Sequence, residues 1–213
     1  MDLRDIFACS ACGIPMDWGQ AHFRVTCGCD RSDGRSAIGP GVGLNIRHAR
    51  PDDGPALKAL CLRFFHHTDL IAYGRKYEIT DCQSLVAERD GRLVGLLAYV
   101  WRGEEEDCLV VAFAVAGGAQ GLGVGARLQN WLEGDCRGRG VSRMVLSTTN
   151  DNMPALYFYQ RHGFRIADVL PGVIQDELKR ILKGAEPPGF GGIPVRDEIR
   201  LEKDLEAQEE HRP

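Results

Sequence analysis

The segment Gln120-Gly121-Leu122-Gly123-Val124-Gly125-Ala126 is the most informative part of this chain. It follows an apolar, strand-like run from Leu109 to Val115 and opens a helix-like run from Ala126 to Leu132. Its alternating glycines leave backbone N–H groups nearly bare at the start of a helix. Such groups suit an anion, because the first amides of a helix are unpaired and the helix dipole favours negative charge. The spacing has two interpretations, dinucleotide binding and acyl-CoA binding.

The elements around this loop predict one α/β (α+β) domain. Predicted strands cover 44–48, 84–88, 92–101, 107–116, 141–148, the segment that starts at 163, and 198–201. Predicted helices begin near Asp52 or Asp53, at the glycine loop, at Asn152 and at Val173, and a short helix and a loop are expected over 67–82. Asp90-Gly91 is a strong hairpin signal. This order predicts a single mixed, mostly antiparallel sheet flanked by helices.

The position of the glycine loop argues against dinucleotide binding. A dinucleotide-binding fold places its glycines after the first strand, with an acidic residue about 20 positions later at the end of the next strand. Here the glycines follow the fourth predicted strand, and the strand near Val141 to Met144 ends without an acid. The chain also has no Gly-Lys-Ser/Thr for a nucleotide triphosphate.

A second motif supports the acyl-CoA interpretation. Asn152, Ala155, Tyr159, Gly163 and Phe164 form Asn-x-x-Ala-x-x-x-Tyr-x-x-x-Gly-Phe, downstream of Gln-x-x-Gly-x-Gly. Together the two motifs resemble the Gcn5-related N-acetyltransferase (GNAT) superfamily, over about residues 44–203. The resemblance implies an enzyme that transfers an acetyl group from acetyl-CoA directly to a primary amine on a small molecule or a peptide.

The resemblance also implies which groups hold the donor. Backbone N–H groups of the loop would bind the coenzyme A pyrophosphate, and the end of the preceding strand would bind the pantetheine arm and the acetyl carbonyl. Many family members have arginine at the position of Gln120, so this chain relies more on backbone amides, with Arg127 as a nearby charge. The implied donor-binding residues are Phe113, Ala114, Val115, Gln120, Gly121, Leu122, Gly123, Val124, Gly125, Ala126, Asn152, Ala155 and Tyr159.

Tyr159 matches the residue that the family uses next to the leaving thiolate. Tyrosine titrates near ~10 and a thiol near ~8.5, so full proton transfer is uphill without tuning. We therefore expect Tyr159 to donate a hydrogen bond to the developing thiolate. The alternative is a core aromatic beside Tyr157 and Phe158, and for Asn152 the alternative is a simple helix cap.

The general base is not fixed by the sequence. Some family members carry a glutamate on the fourth strand at the position that Leu109 occupies here. Other candidates are Asp107, His66, His67, Glu78 and Asp81. The run Glu104 to Asp107 is expected to be a solvated hairpin tip. The missing glutamate motivates a second hypothesis, an acyl-CoA-binding regulatory or interaction module without catalysis.

The first 43 residues differ from the rest, so the predicted units are 1–43, 44–203 and an acidic tail, 204–213. Cys9, Cys12, Cys27 and Cys29 have a spacing close to that of a zinc site, although the second pair has one intervening residue where two are usual. The alternatives are a disordered tail and a translation start placed too far upstream. The remaining cysteines, 61, 82, 108 and 136, are predicted to be small core residues.

The composition of the chain argues against some classes of binding partner. The chain has 213 residues, 44% of them hydrophobic, and a net charge of −4. It has no basic stripe for nucleic acid, which also argues against a zinc-dependent nucleic-acid adaptor. Neither a signal peptide nor a run of the roughly 18 apolar residues of a membrane span is present. We therefore expect a cytoplasmic protein with reduced cysteines.

Overall fold

The computed structural model describes residues 17–18, 25–26, 43–65, 67–103, 106–176 and 189–205. The helices are α1 (Gly54–Phe65), α2 (Val124–Gly138) and α3 (Met153–Arg161). The strands are β1 (Asp17–Trp18), β2 (Val25–Thr26), β3 (Leu44–His48), β4 (Asp69–Ala72), β5 (Arg75–Glu78), β6 (Gln83–Arg89), β7 (Arg92–Arg102), β8 (Asp107–Val115), β9 (Arg143–Thr149), β10 (Arg165–Leu170) and β11 (Glu198–Asp204).

One seven-stranded sheet carries the fold, in the order β10-β11-β9-β8-β7-β6-β3. Its neighbouring strands are antiparallel except for β8 and β9, which are parallel. Two smaller sheets pair β1 with β2 and β4 with β5. The prediction of a mixed, mostly antiparallel sheet flanked by helices is confirmed.

The hairpin that joins β6 to β7 follows from its turn sequence. Asp90 and Gly91 have φ angles of 52° and 71°. A two-residue turn of this kind needs positive φ at both positions, and its twist matches that of the strands it connects. The turn thereby sets the register of the two strands.

The sheet has two covered faces. On the first, α1 packs over β6, β7 and β8, and the β4–β5 hairpin packs beside it over Leu109 and Val145. On the second, α2 and α3 cover a larger apolar core that includes Phe113, Leu146 and Leu201. A buried ion pair helps to fix α2 there, since Lys203 Nζ of β11 lies 2.6 Å from Glu133 Oε1. The helix that starts at the glycine loop is thus tied to a strand far away in the sequence.

Two predictions of local structure were wrong. Residues 67–82, expected to form a short helix and a loop, instead form the β4–β5 hairpin and the 3-10 turn Ile79–Asp81. Asp107, expected at a solvated hairpin tip, is only 1% exposed. Residues 173–176 are helical, as predicted, and residues 177–182 lie outside the described residues.

The helices in the described ranges include none that is long and apolar enough to cross a membrane.

Candidate active site

The parallel strands β8 and β9 separate part-way along their length. Residues 107–110 pair with 143–146, and the register between these two strands ends there. Beyond that point β8 continues its pairing with β7, and β9 continues with β11. Residues 111–115 and 147–149 therefore border an opening, which we call the wedge.

A β-bulge lies where the wedge begins. Ala112 pairs with Ala98, and Val110 pairs with Tyr99, so Val111 is an extra residue on β8. A bulge bends its strand and increases the local twist. The bend at Val111 accounts for the departure of β8 from β9.

Backbone groups of β8 face into the wedge. The N–H of Ala116 donates to the carbonyl oxygen of Val94 on the β7 side, with an N···O distance of 2.8 Å. Because hydrogen bonding alternates along an antiparallel pair, the N–H and C=O groups of Phe113 and Val115 point away from β7. They point to the side on which β9 has already left.

The glycine loop lies at the end of β8. Gly121 and Gly123 have φ angles of 71° and 75°, a backbone conformation that glycine adopts without strain. Gly123 is the residue before α2, and the N–H of Arg127 donates to its carbonyl at 3.0 Å. Among the described residues, the N–H groups of 121–126 have no protein acceptor. This cradle of bare amides at a helix start can bind a phosphate.

Gln120 and Arg127 both point away from these amides. The side-chain Nε2 of Gln120 donates to the carbonyl oxygen of Val115 at 3.0 Å, and its Oε1 is buried without a partner in the described part of the chain. Arg127 donates to the carbonyl oxygen of Leu44 at 3.3 Å, so its side chain reaches towards β3. Arg127 therefore does not supply the charge that the sequence suggested it could.

A cluster of aromatic side chains packs against the glycine loop where α2 begins. A Cβ atom on Gly125 would lie 3.3 Å from the Phe158 ring, so a side chain there would require the ring to shift by a few tenths of an ångström. Phe158 also packs against Phe113, with 5.4 Å between the ring centroids. Tyr159 is 5% exposed and lies 5.3 Å from the Phe164 ring and 6.1 Å from the Phe113 ring. Tyr159 thus stands between the wedge strand and the core.

Asn152 caps α3 and ties it to the wedge. Its Oδ1 accepts from the N–H of Ala155 at 3.3 Å, and its Nδ2 donates to Thr148 Oγ1 of β9 at 3.0 Å. The capping interpretation is therefore correct. A side-chain amide can still donate and accept once more, so this contact leaves capacity for a ligand.

Asp107 is not available as a base, contrary to one of the expectations. Both of its carboxylate oxygens accept from Arg102, at 2.7 and 2.5 Å, and Arg143 lies 3.4 Å away. Leu109 is fully buried under the β4–β5 hairpin. Neither residue of β8 can therefore take a proton from an amine.

The other candidate bases lie in the segment before β6. His67 and Asp81 are exposed, and Glu78 is half-buried, 3.4 Å from Thr68 Oγ1. His66 lies outside the described residues. The structure singles out none of them.

The described cysteines behave as core residues. Cys61, Cys108 and Cys136 are fully buried, and Cys82 is half-buried. Burial raises the pKa of Cys61 to about 12 and that of Cys82 to about 11, so both stay protonated. No group of His, Cys, Asp or Glu suited to a metal ion occurs within the described ranges. The predicted zinc ligands, Cys9, Cys12, Cys27 and Cys29, lie outside those ranges.

Sequence reasoning missed a group of polar residues on the α1 face, beside the wedge. Tyr73, Arg200 and Glu198 come from the β4–β5 hairpin and from β11, and Arg200 stacks on the Tyr73 ring. The one local signal was the alternation of charged and apolar residues from Glu198 to Glu202, which indicates a strand with one polar face.

Comparison with known proteins identifies a family for this sequence. Residues 55–164 match the model of the acetyltransferase (GNAT) family. The protein YxbD of Bacillus subtilis is 34% identical over 118 residues, which cover 55% of this chain and 70% of YxbD. The streptothricin acetyltransferase of Streptomyces lavendulae is 33% identical over 92 residues, which cover 43% of this chain and 49% of that protein.

A solved structure shares the fold. It is a GNAT family acetyltransferase from Elizabethkingia anophelis with acetyl-CoA bound, 22% identical, with a TM-score of 0.57 over 76% of this chain and 99% of that chain. The chain belongs to the acetyltransferase (GNAT) family and is an N-acetyltransferase.

Proposed function

We propose that the protein transfers the acetyl group of acetyl-CoA directly to a primary amine, and that the wedge is where the two substrates meet. One observation carries the proposal, the separation of β8 from β9 next to the bare amides of residues 121–126. The amides suit the pyrophosphate, and the free edge of β8 suits the amide-containing pantetheine arm.

Several contacts then orient the thioester. The N–H of Phe113 faces the wedge and would donate to the thioester oxygen as negative charge develops there. Such a preorganised donor is worth about 3–4 kcal/mol in a dry site. Asn152, held by Thr148 and Ala155, has a free N–H for a pantetheine carbonyl.

The whole reaction can be written with two protein groups, the N–H of Phe113 and the hydroxyl of Tyr159. The amine lone pair attacks the acetyl carbon, the C–N bond forms, and the C–S bond breaks. Tyr159 donates a hydrogen bond to the departing sulfur, which leaves as a thiolate. The proton that the nitrogen loses passes to water. Leu109 occupies the position of the glutamate that would accept this proton, and Asp107 is held by Arg102. An amine costs about 4–5 kcal/mol to deprotonate at pH 7, so the rate should rise with pH.

The test is a titration with acetyl-CoA, followed by thiol release against a panel of amines. We expect binding and turnover of at least one primary amine. Absence of coenzyme binding would contradict the proposal outright.

A second function, acyl-CoA binding without catalysis, is favoured by one observation, the buried leucine at position 109. It predicts coenzyme binding without turnover of any amine. In that case Tyr159→Phe would change no measurable property of the complex, so the same assay separates the two functions.

A further inference from the structure

A small cavity lies under the β4–β5 hairpin, beside the base of the wedge. Its volume is about 200 Å³, and its walls include Tyr73, Asp107, Arg143, Arg200 and Glu202. It adjoins the wedge because Arg200 pairs with Ser147, the residue after the last one of β9 that pairs with β8. Pockets for drug-sized ligands are larger, about 300–1,000 Å³, so this cavity suits a small molecule.

Most of the charges around the cavity neutralise one another. Arg102 and Arg143 both pair with Asp107, and Glu202 accepts from Arg165 at 2.8 Å. Asp168, which lies opposite Arg200 across β10 and β11, adds a further carboxylate to the lining. Without Arg200, these groups therefore offer no net attraction to an anion.

Arg200 is also paired with a carboxylate, but part of its guanidinium keeps free donors. Its Nε donates to Glu198 Oε1 at 3.0 Å, and that is the hydrogen bond it makes within the described residues. Its two terminal nitrogens keep their donor capacity, because neither has a protein acceptor in that part of the chain. A guanidinium with one edge occupied still presents a second edge to an anion.

Tyr73 fixes the position of this guanidinium. The residue lies at the hairpin turn with a φ angle of 51°, which is an outlier for a bulky side chain. Its ring packs against two guanidinium groups, 4.4 Å from that of Arg200 and 4.9 Å from that of Arg102. Burial raises the pKa of Tyr73 to about 12, so the ring stays neutral between them.

Glu198 supplies the opposite charge. It lies opposite Thr149 on the α1 face, at the level of the wedge, and its side chain is 7% exposed. Neighbouring strands are about 5 Å apart, so its carboxylate lies within side-chain reach of the wedge. One carboxylate oxygen is held by Arg200, and the other has no hydrogen-bond partner among the described residues.

We propose that the acceptor is a small amine that also carries a carboxylate, such as an amino acid, and that this pair of residues binds it. Arg200 binds the carboxylate of the acceptor, and Glu198 binds its ammonium group next to the wedge. This inference rests on the proposed acetyl transfer, because it names the acceptor class of the same site.

The test compares matched amines with and without a carboxylate. The pairs are alanine and ethylamine, leucine and 3-methylbutylamine, and lysine and 1,5-diaminopentane, each measured as kcat/KM at saturating acetyl-CoA. We expect the wild-type enzyme to prefer the amino acid in at least one pair by about tenfold or more, as for a charge-assisted hydrogen bond.

Variants test whether Arg200 causes the preference for the amine that carries a carboxylate. Arg200→Met should remove the preference while the KM for acetyl-CoA stays unchanged, and Arg200→Lys should restore part of it. Glu198→Gln should lower kcat/KM for both members of each pair. Arg161→Met is the matched control, because it removes an exposed arginine that stacks on a tyrosine, Tyr157, outside the cavity walls. It should leave the preference intact.

Each of the following outcomes would overturn the inference. Equal or better use of the carboxylate-free amine in every pair overturns the inference even if Arg200→Met fails to fold. An effect of Arg200→Met no larger than that of Arg161→Met overturns it as well. Coenzyme binding without turnover of any of the six amines also overturns it. Failure to bind acetyl-CoA at all overturns the proposed function itself, and this inference with it.

Discussion

The side-chain amide of Gln120 donates to the carbonyl oxygen of Val115 and so ties the first residue of the glycine loop to the last residue of β8. The bond holds the amide cradle against the strand edge that borders the wedge. It also fixes the orientation of the side chain, because the opposite orientation would set two oxygens against each other.

Replacement of Gln120 by leucine should therefore weaken donor binding. The lost hydrogen bond is worth about 1 kcal/mol, so the KM for acetyl-CoA should rise about fivefold while kcat stays near its wild-type value. Steady-state kinetics measure both. Asn130→Leu, at an exposed position of α2, is the control and should change neither.

Tyr159→Phe should lower kcat and spare the KM for acetyl-CoA. The change removes one hydroxyl and keeps the ring contacts with Phe113 and Phe164. A hydrogen bond to a charged group is worth about 1.5–3 kcal/mol, which corresponds to about a 10- to 100-fold loss. Tyr157→Phe, on an exposed tyrosine of the same helix, should have no effect. An unchanged kcat in Tyr159→Phe would reduce Tyr159 to a core aromatic.

Gly123→Ala should damage both stability and donor binding. Gly123 has a φ angle of 75° at the start of α2, and a side chain there costs about 1–2 kcal/mol. We expect a lower Tm and a higher KM for acetyl-CoA. Gly118→Ala is the matched control just before this loop, because an added Cβ meets nothing within 4 Å at either position and only Gly123 has a positive φ angle. Equal effects of the two changes would argue against a role for the loop conformation.

The Asp107→Asn variant should have a lower free energy of unfolding than the wild type, and it should not lose a general base. The change leaves the Arg102 and Arg143 guanidiniums without their shared carboxylate, which for a buried pair costs about 3–5 kcal/mol. Urea unfolding measures this loss, and Asp204→Asn, at a half-exposed acid, should cost far less. Loss of the acid limb of the rate–pH profile with stability intact would instead make Asp107 the base.

The acid stability of the fold should depend on Asp53. A hydrogen bond from the Arg47 side chain lowers the pKa of Asp53 from 3.8 to about 2, together with a bond from the Arg50 N–H. Because the folded pKa lies below the unfolded one, this stabilisation is present above about pH 4 and is lost as the pH falls towards 2.

Urea unfolding at several pH values checks this dependence. The free energy of unfolding of Asp53→Asn should fall below that of the wild type by a constant amount above about pH 4.5, and the gap should narrow below pH 4. Asp52→Asn, at an exposed neighbour, should show no such trend. A gap that persists to pH 2 would contradict the assignment.

Local signals predicted much of the fold. The Asp90-Gly91 turn, the strands around it and the helix after the glycine loop were all readable, because each depends on neighbouring residues. The β4–β5 hairpin was not readable, since its tip is Tyr73-Gly74 and tyrosine seldom adopts positive φ.

The site was only half predictable for a related reason. The glycines and Asn152 act through backbone amides and a helix cap, which sequence patterns reveal. The capture of Asp107 by Arg143, and the placing of Glu198 beside Thr149, depend on strand pairings between distant segments. No local pattern records such pairings.

The extra residue at Val111 divides β8 into two stretches of opposite phase. Before it, Cys108 and Val110 point towards α2 and α3; after it, Phe113 does so, while Ala112 and Ala114 face α1. All of these residues are small or apolar, so the sequence gives no sign of the change of phase. Deleting Val111 would restore regular alternation and leave Phe113 on the side of α2 and α3. The extra residue therefore changes the path of β8 and the width of its gap to β9, and it leaves the same side chains facing the helices.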